Sequence, residues 1–371
     1  MGKHKSMDFL APSSILSNMM RKFPSIFKTV ETIQKDSNYS IVPSGVIINV
    51  LEQAYGIPTV QASKIAGCIH ALYEWRNNKQ IYDFNPDIAT ELVKSFDSAA
   101  SLPIEAFEEM PYDGLYMSVS GTPFSAFATK DMSFDKNNNR IKSISFYIPA
   151  NDKTISIPLM RDTIAKCMNA DYHANIAQLN DPNCIRALKM SYPHMSEADI
   201  KKSIMDSYAK GYQADKDLLE MCISLLLYLC SQNAEITDLN GNPTSAKGPD
   251  KQEKSDEANN LDTKKPPAPT KSKKSKSRTV KVGYRIGKAI RYSKNQQPES
   301  DSVTASTASV GSTSNGSHTK KSAHVRRGHY HHYWTGSHKD GTRKLILKWT
   351  APAFINASGT DDIIPTMHKI K

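Results

Sequence analysis

The sequence of 371 residues has no apolar run long enough to cross a bilayer. Its longest largely apolar stretch, Met221 to Cys230, is ten residues, about half of what a membrane helix requires. Met1-Gly2-Lys3-His4-Lys5-Ser6 has no secretory apolar core, so the expectation is a cytoplasmic protein with no membrane partner. Cysteine is scarce too. Five residues, at 68, 167, 184, 222 and 230, form an odd set without a CxxC pair, which excludes a disulfide framework and a cysteine-based zinc site. Acidic residues nearly vanish towards the C-terminus, with three (Glu299, Asp301, Asp340) among 18 Lys and Arg between 271 and 349. That segment carries +15 of a total charge of +11, leaving −4 on the rest of the chain. A near-neutral body with a concentrated basic end is the electrostatic footprint of a polyanion binder.

What is present divides the chain. Residues 7–100 read as helical, with apolar residues such as Ile65, Cys68, Ile69, Leu72 and Trp75 at helical spacing. Between Leu115 and Leu159 the pattern changes to strands, near 115–119, 125–128, 144–148 and 154–159, with a turn over 135–139. Helices resume near Thr163. Ser196 caps one that runs towards Tyr212, and another spans Asp215 to Cys230. The expectation is an α+β fold: a helix–sheet–helix N-terminal domain over 1–240, then a disordered linker over 241–278. A small basic C-terminal module over 279–371 follows, containing a β-hairpin and a disordered insert at 295–322. In that insert 11 of the 20 residues from 300 to 319 are Ser or Thr, too polar to offset the chain entropy of folding. The island from Val280 to Tyr292 should be ordered.

The densest chemistry runs from His324 to Gly336, followed by a loop with Asp340-Gly341 and by Thr342 to Trp349. Two β-favouring stretches around a glycine-containing loop predict a hairpin. Strand alternation puts Arg327, His329, His331 and Tyr333 on one face, and Arg326, Tyr330, His332 and Trp334 on the other. The opposite strand sends Leu345, Leu347 and Trp349 one way, and Lys344, Ile346 and Lys348 the other. Three chemistries fit. Arg326, Arg327, Tyr330, Trp334, Arg343, Lys344 and Lys348 could hold RNA, the cations on phosphates and the rings on unpaired bases. His329 and His331 could act as general base and acid in RNA cleavage, with Arg327 on the phosphate and Tyr333 positioning the attacking hydroxyl; no cofactor is required. The two histidines could also meet one metal ion, but no third ligand is evident and no metal is assigned. A polar, hydrogen-bonded small sheet without chemistry is the bland alternative.

At these residues the chain resembles the type V-A anti-CRISPR family carried by phages and plasmids. The likeness rests on Arg326 to Gly336 with Leu347-Lys348-Trp349 and Pro352 to Asn356. Trp75-Arg76-Asn77, Met110-Pro111, Leu226 to Cys230 and Tyr284 with Ile286-Gly287 follow the same order along the chain. His332 stands where the family usually has glycine, and Tyr330 where it has tryptophan. The resemblance implies a negative regulator that recognises the N-terminal peptide of a CRISPR effector nuclease at the ribosome and triggers degradation of the encoding mRNA. Its implied partners are that peptide, the ribosome or polysome, the mRNA and a host ribonuclease. A nucleic-acid-binding protein of a mobile element, acting in replication, transfer or transcription, and a metal-free ribonuclease are the alternatives.

Overall fold

The computed structural model describes residues 11–134, 140–169, 182–247, 277–295, 324–326, 328–350 and 353–355. Its centre is a seven-stranded mixed sheet in the order β5-β4-β3-β2-β1-β7-β6. The strands are β1 (Gln80–Phe84), β2 (Gly114–Val119), β3 (Ser125–Phe134), β4 (Arg140–Ile148), β5 (Lys153–Pro158), β6 (Ile236–Thr237) and β7 (Arg278–Val282). β1 runs parallel to both β2 and β7, and every other pairing is antiparallel.

Helices cover both faces, because side chains alternate across a strand. Tyr116, Phe127 and Tyr147 pack under α1 (Pro12–Lys22), α2 (Ile26–Asp36), α3 (Ser44–Tyr55) and α4 (Thr59–Trp75). Their strand neighbours Leu115, Met117, Ala126, Ala128 and Phe146 join the opposite core. That core holds α5 (Pro86–Lys94), α6 (Ile104–Glu108), α7 (164–169 as far as described) and the end of α9 (Glu197–Cys230); α8 (Pro182–Ser191) packs on α9. The α+β expectation therefore holds.

Three details differ from the sequence reading. The stretch expected to be helical contains the interior strand β1, whose Gln80, Tyr82 and Phe84 are buried in strict alternation. Asn85 stops it by capping α5, its Oδ1 accepting from the amides of Asp87 (2.9 Å) and Ile88 (3.4 Å), with Pro86 in the first turn. The two helices expected between Ser196 and Cys230 are one of 34 residues, capped as expected by Ser196, whose Oγ accepts from the Asp199 amide at 3.1 Å. Lastly, β7 lies between β1 and β6, so the sheet runs across the division expected between 240 and 279. Val280 and Val282 complete a core that the N-terminal strands leave open on that side. The turn at 135–139, most of the linker and nearly all of the insert lie outside the described residues.

Cys68, Cys167, Cys222 and Cys230 are free and buried; the side chain of Cys184 is outside the description. Burial pushes the Cys68 and Cys230 thiols up to about 12 and raises those of Cys167 and Cys222. Since the thiolate is the reactive form, these four should resist a thiol-titrating reagent in the native protein and react in urea. Fast native labelling of any of the four, mapped by mass spectrometry, would contradict this burial. No helix among the described residues is long and apolar enough to cross a membrane.

Candidate functional site

The expected hairpin forms from β9 (His329–Thr335) and β10 (Lys344–Thr350), in the register Tyr330 opposite Trp349, His332 opposite Leu347 and Trp334 opposite Leu345. Gly336 makes the turn out of β9 possible. It has φ +84°, and a Cβ there would sit 2.3 Å from the Thr342 carbonyl oxygen. Asp340 braces the loop by accepting from the Thr342 hydroxyl at 2.7 Å and amide at 3.2 Å, which holds its carboxyl below the usual range. A shorter pair, β8 (His324–Arg326) with β11 (Ala353–Ile355), flanks the hairpin in sequence.

One face of the hairpin is welded to the body. Leu345, Leu347 and Trp349 are buried, and the Trp349 indole stands edge-on to Tyr228 of α9 at 5.5 Å. Asn233 brackets the Trp349 backbone, its Nδ2 donating to the carbonyl at 2.6 Å and its Oδ1 accepting from the amide at 3.0 Å. The Gln232 amide donates to the Leu347 carbonyl at 3.0 Å. Tyr330 belongs to this face. Its ring packs against the core and its hydroxyl donates to the Ser224 carbonyl at 3.1 Å, in surroundings that push the phenol well above its ordinary range by burial. The sequence reading placed Tyr330 among base-stacking residues; here it is a structural anchor.

The other face is open. His331, Tyr333 and Lys348 are exposed, with His329 and Ile346 half-buried beside them. The Nε2 atoms of His329 and His331 are 2.6 Å apart, with ring centroids at 4.4 Å. At that separation one hydrogen lies between the two nitrogens, so one ring donates and the other accepts. Lys348 Nζ stands 5.4 Å from the Tyr333 ring centroid. At the hairpin tip the Arg343 guanidinium lies 4.7 Å from the ring of Trp334, which is 43% exposed although it shares the face of Tyr330. Lys344 is exposed at the start of β10. Arg327 is outside the described residues, and Arg326 is described only as a strand residue opposite Ala353. The structure thus brings His329, His331, Tyr333 and Lys348 together on one face, with Tyr330 on the other. Such a face can pass a proton between two imidazoles, hold a phosphate with a cation and stack a ring. Among the described residues no three His, Cys, Asp or Glu side chains stand close enough to share a metal ion.

A second cluster went unread in the sequence. At the carboxyl ends of β1 and β7, Asp83 accepts from Lys281 Nζ at 2.5 Å and from the Tyr284 hydroxyl at 2.9 Å. The Ser120 hydroxyl reaches the same carboxylate at 2.7 Å and meets Tyr284 at 2.5 Å. Only the three-residue spacing of Lys281 and Tyr284 is visible locally; Asp83 is about 200 positions away.

Both the sequence and the fold have counterparts among known proteins. The AcrVA2-like family model, described as the anti-CRISPR type V subtype A2 family, matches residues 82–357. The fold is similar to that of the solved "Crystal structure of AcrVA2", with a TM-score of 0.53 and 16% identity over 95% of this chain and 100% of that one. No curated protein matches.

Proposed function

Because the chain belongs to the AcrVA2-like anti-CRISPR type V subtype A2 family, we propose that it lowers production of a CRISPR effector nuclease by recognising the effector's nascent N-terminal peptide and triggering decay of the encoding mRNA. The observation that carries the RNA half of this reading is the open hairpin face, where paired imidazoles lie beside Lys348 and Tyr333 while the opposite face is fixed to the core. Arg326, Arg327, Trp334, Arg343 and Lys344 are the further candidates for RNA contact on this module. The peptide half falls to the α+β body. Its sheet ends in β5, which pairs with β4 alone among the described strands, an edge to which an extended peptide can add. The ribosome or polysome is the partner that presents peptide and message together, and a host ribonuclease supplies the cut in this scheme. The cytoplasm is the compartment where these meet.

The test follows the mRNA of a reporter carrying the effector's first codons, beside a frameshifted reporter of nearly the same RNA. Loss of only the in-frame message, by tenfold or more, is expected, with rescue by His329→Ala/His331→Ala. Equal loss of both would mean that RNA is read directly, and loss of neither would remove the reading in favour of a mobile-element nucleic-acid binder.

The imidazole pair also favours a second reading, a metal-free ribonuclease with His329 and His331 as acid and base, Arg327 on the phosphate and Tyr333 on the attacking hydroxyl. Purified protein would then cleave RNA without ribosomes in the presence of a chelator, and the double variant would be inactive.

A further inference from the structure

Helix α10 (Tyr284–Asn295) is held on one side and left bare on the other. Its first turn is fixed by Glu235, whose carboxylate accepts from the amides of Arg285 and Ile286, both at 2.9 Å. Tyr284 is tied to Asp83 and Ser120 as described. Lys281, just before the helix, is spent in that cluster: burial pulls its ammonium down, but the bonds to Asp83 and Tyr284 outweigh it and keep the group charged. Gly287 lies so close to Asn85 that a Cβ would stand 2.0 Å from Oδ1, and Ile290 is buried.

Everything exposed on the described part of α10's outer face is cationic or aromatic. Arg285, Lys288, Arg291 and Tyr292 face solvent, Tyr292 at 60%, and no acidic residue occurs between 284 and 295. Arg291 is bound to Asp87, with Nε at 2.9 Å. Arg285 and Lys288 make no ion pair among the described residues. Positions 285, 288 and 292 fall on one helical stripe, about 10 Å long at 1.5 Å per residue.

We propose that this stripe is a docking surface for single-stranded RNA, with Arg285 and Lys288 on phosphates and Tyr292 stacked on an unpaired base. Charge complementarity selects a polyanion. The exposed ring selects one that offers bases, and the lack of an aliphatic side chain in the stripe leaves a lipid surface nothing to bury. Because the helix is fixed at its start by two carboxylates, binding need not order it. The proposal rests on the reading that this chain meets RNA, but it places a contact on α10, separate from the hairpin.

Fluorescence anisotropy of a labelled 20-nucleotide oligouridine, measured against salt with the full chain, tests it. Each lost phosphate contact lowers the slope of log affinity on log salt by about 0.7, so Arg285→Gln/Lys288→Gln should lower it by about 1.4. Tyr292→Ala should weaken binding about tenfold with little change of slope. All three positions are exposed, so melting temperatures should stay within about a degree of wild type. Wild-type affinity and slope in both α10 variants, with loss only in His329→Ala/His331→Ala, would overturn the proposal and keep RNA at the hairpin. Failure of every protein to bind at low salt would remove the RNA reading and this proposal together. Binding to phosphatidylserine vesicles through the same three residues, without RNA binding, would also overturn it.

Discussion

Trp349→Ala should cost about 3–5 kcal/mol of folding stability, the range for removing a large aromatic from a packed core. The side chain is 1% exposed and sits at the junction of two parts of the chain far apart in sequence. It packs edge-on to Tyr228, which in turn lies 6.4 Å from Phe84 of the interior strand β1. The cavity left by the indole cannot be filled from β10, whose backbone at this position is pinned on both sides by Asn233. Equilibrium urea unfolding should show the loss as a lower midpoint at unchanged slope. Trp349→Phe separates packing from polarity. The indole nitrogen is buried without a hydrogen-bond partner, so replacing it with a phenyl ring gives up area but no polar contact. Its cost should be less than half that of alanine. Equal costs for the two variants would mean that the indole's N–H, and not its bulk, holds the hairpin.

A functional corollary separates stability from chemistry. If the open face acts only while the hairpin is mounted on α9, Trp349→Ala abolishes reporter mRNA loss, as His329→Ala/His331→Ala does, but it lowers the melting temperature while the histidine variant leaves it in place. The histidines stand on the open face, His331 exposed and His329 half-buried, outside the buried core.

The same region shows what a sequence can and cannot reveal. The hairpin was legible because period-two alternation and loop glycines are local signals, and both strands carry them strongly. Alternation sorts side chains into two sets without saying which set faces down. The three-residue apolar set Leu345, Leu347 and Trp349 decides that for β10, and through the register it decides it for β9 as well. Tyr330 lies opposite Trp349 and is drawn into the core, although its composition-based reading was a stacking platform. Register is a long-range fact, and no window of β9 alone contains it. β1 was hidden for a different reason. Five residues between a long helix and a capped one are too few to show a period, and their strand conformation is stabilised by β2 and by β7, nearly 200 positions later. The clustering of Asp83, Ser120, Lys281 and Tyr284 was invisible on the same grounds, since it joins residues about 200 positions apart. The family signature in the C-terminal segment was legible as a string, and residues 82–357 bear it out at family level.

Glu74→Gln should stabilise the protein by about 3 kcal/mol at pH 8 and by almost nothing near pH 4. Glu74 lies on α4 against the sheet, 6% exposed, with Oε1 lacking any hydrogen-bond partner. Burial is the main cause that lifts its carboxyl to about 7. Asp113 and Asp131 add to the lift, and Arg76 opposes it. An unfolded glutamate titrates near 4.5, so between pH 4.5 and 7 the folded state holds a proton that the unfolded state has lost. Stability must then fall as pH rises through that window, by about 1.4 kcal/mol per unit, and the full penalty of a buried charge stands above pH 7. The neutral amide carries no such penalty, which is why the gain from substitution grows with pH instead of being constant. The base of this side chain is packed tightly against the sheet. Gly114 of β2 lies so close that a Cβ there would meet the Glu74 Cβ at 2.5 Å and its backbone carbonyl carbon at 2.7 Å. Urea melts of wild type and variant at pH 4, 6 and 8 decide the matter. A difference between the two proteins that widens with pH locates the titration at Glu74, and one that stays flat places the charged carboxylate in water.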